Sequence, residues 1–453
     1  MSLPSPGRGF PRRALAMALS LGLAPYLAAQ DASPSPAPVS EIGGSDSTTV
    51  EVAAPGIPAA LSQGAVSPAL GLAEWSFLGD QAAKARTDAL PAVIARLDLF
   101  ILEYPQLREA ADAQWLLAEL SRRAGDDASA MTALARILHE HPDSSRALEA
   151  RTLFLELGRE ALGRKLMRGV QGLAFPKTSA GSEAKRMAGL VTALAKSPAA
   201  SFFAKPALDL ALRFRERFPD DARTPAIIEA AAKLDEAAKH YPAAELAYRE
   251  IAVVFPDSRQ APNAYLGIAR VLSRPRSWPW RIFHGDAFHQ DCAKAVGALD
   301  DLIKKYPERK DLALTALEQE ASLFSRWLGQ YRSAIETDGR IADLFPANPE
   351  GLSALKDAAD LAHGKLKDYA LEIQLRRRIA NGYPAPDAPD QLIKIAKVEK
   401  ENLDDQAKAL EACEEVADKY PKTKFARTAR RMIRRFASSK PAPAAPQAGK
   451  ETP

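Results

Sequence analysis

The chain has 453 residues, 47% hydrophobic and 26% charged, with 61 Lys and Arg against 57 Asp and Glu. That length accommodates two or three ordinary domains or one long repeat array, and the net charge of +4 is too small to imply a nucleic-acid partner. Aromatic content of 7%, beside abundant alanine, excludes a β-rich core in favour of closely packed helices.

Arg8, Arg12 and Arg13 precede the apolar run of residues 14–29, "ALAMALSLGLAPYLAA", which ends in small residues before Gln30 and Asp31. A spanning helix needs roughly 20 apolar residues, and Pro25 interrupts this run, so residues 1–29 read as a cleaved signal peptide. The pair Arg12-Arg13 leaves the general and twin-arginine export routes both open. No cysteine follows the run to carry a lipid, and no later segment reaches spanning length. Residues 30–68, rich in Ser, Pro, Ala and Gly, are expected to be a disordered linker, and residues 438–453 a second such tail.

Between them, residues 69–437 carry a repeat. Pairs of an aromatic residue (once a histidine) and a proline begin at Tyr104, His141, Phe175, Phe218, Phe255, Tyr306, Phe345, Tyr383 and Tyr420, with successive differences of 37, 34, 43, 37, 51, 39, 38 and 37. Proline cannot continue a helix and displaces the residue before it from the α region, so each pair closes the second helix of a hairpin. Twelve residues before the proline stands Ala130, Ala207, Ala244, Ala295, Ala334 or Ala409, small enough for paired helices to approach closely. Five before it the residue is apolar in eight of nine cases, from Phe100 and Ile137 to Ile379 and Val416. Five and eight after it come Ala110/Ala113, Ala147/Ala150, Ala261/Ala264 and Ala426/Ala429. Asp143-Ser144, Asp257-Ser258 and Thr423 offer side-chain oxygens to cap the helix that follows. The pattern predicts an all-α fold, an α-solenoid of about nine helical hairpins with a terminal capping helix.

This pattern resembles the tetratricopeptide-repeat family. The stretch from Trp115 through Leu117, Ala118, Ala130 and Leu134 to Pro142 follows that family's alternation of small and large residues. The aromatic–proline loop followed by spaced alanines is most similar to exported bacterial members, those associated with the Tol-Pal system and the BamD-like members of outer-membrane assembly. The chain departs from BamD-like members in lacking their lipidated cysteine and in having more repeats, and its unit ending at Phe175 is degenerate, with Arg164 and Arg168 at positions otherwise small or apolar. The resemblance implies a non-enzymatic scaffold holding protein partners in the cell envelope, periplasmic or at the inner face of the outer membrane, with a role in outer-membrane protein or peptidoglycan assembly as the narrower alternative.

Chemistry-bearing motifs are weak. "GREALGRK" from Gly158 mimics a phosphate loop but has Arg164 in place of its lysine and a helical context. His139 and His141 are two apart, whereas zinc proteases need histidines four apart on one helical turn. The sequence therefore implies no catalytic residue, no cofactor and no metal site. An envelope enzyme presenting a loop at 273–292 would need a nucleophile–base or metal-ligand spacing that the sequence lacks.

Two segments stand out as partner sites. The 51-residue interval is 14 longer than the usual 37, and the excess falls in an insertion at 273–290. There Trp278, Trp280, Arg281 and Phe283, with Phe288, form either an interface anchor or a local mini-core beneath a long loop. The last helix, read as Lys422 to Lys440, places Phe425, Ala429, Met432, Ile433 and Phe436 on one stripe for docking. Arg427, Arg430, Arg431 and Arg434 lie opposite. That face is either the solvated side of a capping helix or a contact for an anionic lipid, glycan or protein surface. Cys292 and Cys413, 121 residues apart, are expected to be free thiols, Cys413 buried.

Overall fold

A helix followed by its antiparallel partner is the unit of the fold, as the computed structural model shows for residues 67–176, 181–274, 285–346 and 348–438. The hairpins are α1 (Pro68–Lys84) with α2 (Leu90–Glu103), α3 (Ala110–Arg123) with α4 (Asp127–Glu140), and the two limbs of the bent α5 (Ala147–Val170). There follow α6 (Glu183–Lys196) with α7 (Ala200–Arg217), α8 (Thr224–Ala238) with α9 (Tyr241–Val254), and α10 (Ala261–Leu272) with α11 (Gly285–Lys305). The last are α12 (Lys310–Leu323) with α13 (Tyr331–Leu344), α14 (Pro349–Leu361) with α15 (Tyr369–Gly382), and α16 (Asp387–Glu401) with α17 (Gln406–Lys419), closed by α18 (Lys424–Ser438). Among the described residues there is no strand, and, α5 and α6 excepted, each helix packs on its neighbours in sequence. This is an α-solenoid.

The recurrent residues occupy the seams. Ala130, Ala207, Ala244, Ala295, Ala334 and Ala409 are all fully buried, as are Phe100, Ile137, Phe214, Ile251, Ile379 and Val416 on the second helices of their hairpins. Each such large side chain contributes roughly 1.5–3 kcal/mol by leaving water. The residue before each proline ends its helix: Tyr104, His141, Phe218, Phe255, Phe345 and Tyr420 all donate their backbone N–H to the carbonyl four residues earlier. Tyr306 does the same to Leu302, and its hydroxyl donates to the Pro256 carbonyl at 2.8 Å, tying one hairpin end to the next.

Capping differs from expectation. Ser144 and Ser258 do not cap the helices after them; the segment makes two successive turns, with Ser144 N–H donating to the His141 carbonyl and Ala147 N–H to the Ser144 carbonyl. The backbone carbonyl, not the hydroxyl, thus serves the helix start, and the residue before α5, Arg146, is itself in αR geometry, where no side-chain cap forms. Thr423 does cap, its Oγ1 accepting from Ala426 N–H at 3.3 Å, so α18 begins at Lys424 rather than Lys422. Carboxylate caps sit instead within hairpins, where Asp126, Asp368 and Asp405 accept from Ser129, Leu371 and Lys408 N–H at 2.9, 3.1 and 3.0 Å.

The degenerate third unit changes the stacking. Gly163, at φ 71 and ψ 168, breaks α5 into two limbs, and Arg164, Lys165 and Arg168 on the second limb are exposed. With so little apolar surface there, α4 packs directly on α6 and α7 as well as on α5. That brings the second helices of the first, second and fourth hairpins together.

Candidate functional site

Arginines and carboxylates one repeat apart meet across the seams. Arg146 Nε donates to Asp112 Oδ1 at 2.6 Å, Arg217 lies 3.1 Å from Glu183, and Arg270 Nη2 donates to Glu236 Oε1 at 2.7 Å; each pair is 34 residues apart. A longer clamp crosses the skipped unit: Arg213 binds both oxygens of Asp98, at 2.8 and 2.7 Å, from 115 residues away. Beside it Arg136, 8% exposed, donates to Glu140, which also accepts from Gln114 Nε2 at 2.7 Å. Burial works against the Glu140 carboxylate, but Arg136 outweighs it and holds the carboxyl below its usual range. Glu183 goes the other way, burial pushing it up despite Arg217. Gln114, Arg136, Glu140, Glu183, Arg213 and Arg217 line a cavity of ≈ 180 Å³. Its buried charges answer one another, so the cluster fastens hairpins and leaves little to recognise a ligand.

The same accounting applies near the end of the eighth hairpin. Arg376, 5% exposed, donates to Glu372 at 2.7 Å, to Gln391 Oε1 at 2.8 Å and to Asp360 at 2.9 Å. The sequence reading missed this ladder, although its signal was present: arginines and acids recur at the repeat spacing. No single charge announces it.

Of the residues singled out from sequence, Trp278, Trp280, Arg281 and Phe283 lie outside the described residues. Phe288 does not; it is buried and meets the Trp327 ring edge-on at 5.3 Å within the core of α8–α12. On α18 the predicted stripe is the docked face: Ala429 and Phe436 are buried and Phe425, Met432 and Ile433 partly so, against α16 and α17. Gln406 Nε2 fastens it further, donating to the Phe436 carbonyl at 2.7 Å. Arg427, Arg430, Arg431 and Arg434 are exposed, and among the described residues none of them forms an ion pair.

The weak motifs have structural roles. His141 ends α4, and His139 donates Nε2–H to the Leu173 carbonyl at 3.2 Å, with burial holding its imidazole below the usual range. Gly158 is buried within α5, so a side chain there would strike Met167 Sδ. Cys292 and Cys413 are free and fully buried, and burial pushes both thiols up to about 11. Among the described residues no group of three His, Cys, Asp or Glu side chains is arranged to hold a metal ion, and no helix is long and apolar enough to cross a membrane.

Two segments, residues 112–144 and 392–423, match the tetratricopeptide-repeat family model. The first spans most of α3, all of α4 and the turn after it; the second spans most of α16, all of α17 and the turn before α18. These matches support tetratricopeptide repeats in the second and ninth hairpins, a class of protein-interaction module. Among solved structures, the tetratricopeptide-repeat domain of P58(IPK) is similar at 14% identity and a TM-score of 0.21, over 82% of this chain and 99% of that one. The structure of Naa15/Naa10 bound to HypK-THB is similar at 13% identity and a TM-score of 0.22, over 77% of this chain and 58% of that one. No curated protein matches the sequence.

Proposed function

We propose that this chain is an exported, non-enzymatic scaffold that holds a protein partner in the cell envelope and rests on an anionic lipid or glycan surface through α18. One observation carries the reading. A stack of helical hairpins uses cross-repeat ion pairs to hold itself together, yet its terminal helix keeps five exposed arginines with no counter-charge among the described residues. A capping helix needs only a polar outer face; α18 has no acidic residue to balance its cations. The charged–apolar–small N-terminus supports export, placing the mature chain in the periplasm or at the inner face of the outer membrane. Within that compartment the resemblance to exported repeat proteins favours service in outer-membrane protein or peptidoglycan assembly. Trp278, Trp280, Arg281 and Phe283 are the proposed protein-facing anchors.

Changing Arg427, Arg431 and Arg434 together to glutamate tests the surface contact. None lies on the docked stripe, so helicity and melting should stay within about 1 kcal/mol of the parent. Retention on vesicles containing phosphatidylglycerol at low salt should vanish, and raised salt should release the parent protein. Retention indifferent to both changes would refute the contact.

A further inference from the structure

Between α12, α13 and α14 lies a cavity of ≈ 540 Å³, lined from α12 and the turn after it by Glu318 and Arg326, from α14 by Glu350, Asp357 and Asp360, and from the next turn by Lys365. Asp338 of α13 lines it too and is only 6% exposed. Of these groups Asp360 is engaged by Arg376, and Lys365 Nζ stands 5.8 Å from the Tyr331 ring centroid. Arg326 and Lys365 are exposed. Asp338 has no hydrogen bond and no ion pair among the described residues; the charge acting on it is that of another carboxylate, Asp357. Burial and that neighbour push its carboxyl up to about 7.

Two comparably buried charges beside this cleft are answered from within, whereas Glu399, buried elsewhere, also has an oxygen without a hydrogen-bond partner among the described residues. Arg376 has Glu372, Gln391 and Asp360, and Glu320 has Arg340 at 3.2 Å and Thr337 at 3.1 Å. A deep carboxylate facing a second one across an open cavity, with no cation beside it, is arranged for a positive charge from outside. The cavity is far larger than the roughly 30 Å³ of one water, so it admits a side chain of several heavy atoms. A divalent cation asks for six or more converging oxygens, and no such cluster forms among the described residues.

We propose that this cleft binds the guanidinium or ammonium of a basic side chain presented by a protein partner, with Asp338 as the counter-ion at its floor and Asp357 as a second acceptor. The assignment rests on the scaffold reading and gives its partner a chemistry: a basic segment, recognised by acceptors that match a planar, multiply donating cation. Because the counter-ion at its floor forms only when Asp338 ionises, the cleft binds more tightly as pH rises through about 7.

The test uses the full chain and a capped tripeptide, acetyl-Ala-Arg-Ala-amide, with its lysine and citrulline counterparts and calcium chloride as separate arms. Titration by NMR should show the arginine or lysine peptide binding at pH 8, and binding about tenfold or more weaker at pH 5.5, where Asp338 is protonated. The neutral citrulline peptide should not compete. Asp338→Asn should abolish binding while remaining folded, and Glu336→Gln, outside the cleft lining, should leave it unchanged. Equal binding by Asp338→Asn, equal binding of citrulline, or a response to calcium with the peptides inert would overturn the proposal. An inert cleft in a chain that still crosslinks to partners in cells overturns this assignment alone. Peptide binding in a chain with no cellular partner upholds the cleft and overturns the scaffold.

Discussion

Asp338→Asn should make the protein more stable at pH 8 and leave it unchanged near pH 4. In the folded chain the Asp338 carboxyl sits at about 7, against 3.8 for the free group. That is a difference of about 3 units, or on the order of 4 kcal/mol at ~1.36 kcal/mol per unit. The cavity is open to water, so on the order of 2–4 kcal/mol is the working range. The unfolded chain ionises first as pH rises, binding fewer protons than the native state between about pH 4 and pH 7, so this group removes stability across that window and holds the loss above it. Asparagine has no charge to desolvate. Its advantage should therefore be absent at pH 4, partial at pH 6 and complete at pH 8. Urea denaturation followed by helical circular dichroism at those three pH values reads it directly, comparing midpoints because repeat arrays can unfold in parts. A variant less stable than the parent at pH 8, or a difference that ignores pH, would refute the reasoning.

Two further predictions concern the stack. Arg376→Ala leaves Glu372, whose side chain is 1% exposed, with His363 at 2.7 Å as its one ion-pair partner among the described residues, and should cost about 3 kcal/mol in urea unfolding. The double change Arg376→Met, Glu372→Leu should recover most of that loss, and failure to do so would show that the pair is more than a staple. Gly267→Ala should destabilise although alanine favours helix, because its Cβ would sit 2.7 Å from the buried Tyr248 ring, with overpacking of about 1–3 kcal/mol against about 1 kcal/mol of propensity. Gly297→Ala, with open space around it, should instead raise the melting temperature by the propensity gain; opposite signs from the two substitutions are the expected result.

The periodic part of the fold was legible because each recurrent residue has a steric job that no partner needs to specify. Proline after an aromatic closes the second helix of a hairpin at the repeat spacing, though the off-register pair Tyr241-Pro242 starts α9 instead, and an alanine such as Ala244 marks a close approach whatever faces it. The stripe on α18 could be read for the same reason, since it is local to one helix. What could not be read depends on the third dimension. Gly163 looked like part of a phosphate-loop mimic, but its positive φ bends α5, α4 then reaches α6 and α7 as well as α5, and only that stacking brings Arg213 to Asp98. Ser144 and Ser258 satisfied the composition rule for a cap while the turn geometry gave the work to a carbonyl. Asp338 is one acid among 57 acidic residues, and nothing in its neighbours in sequence reveals that no cation reaches it.

The central claim is that the hairpin stack holds a protein partner outside the cytoplasm, and photo-crosslinking in living cells tests it most directly. A crosslinking residue placed at Ser353, on the cleft wall, and others at Trp278 and Trp280 should trap a discrete protein in the envelope fraction, with the crosslinked chain beginning near Gln30 by intact mass. Recovery of an uncrosslinked chain that retains Met1 in the cytosolic fraction would contradict the account.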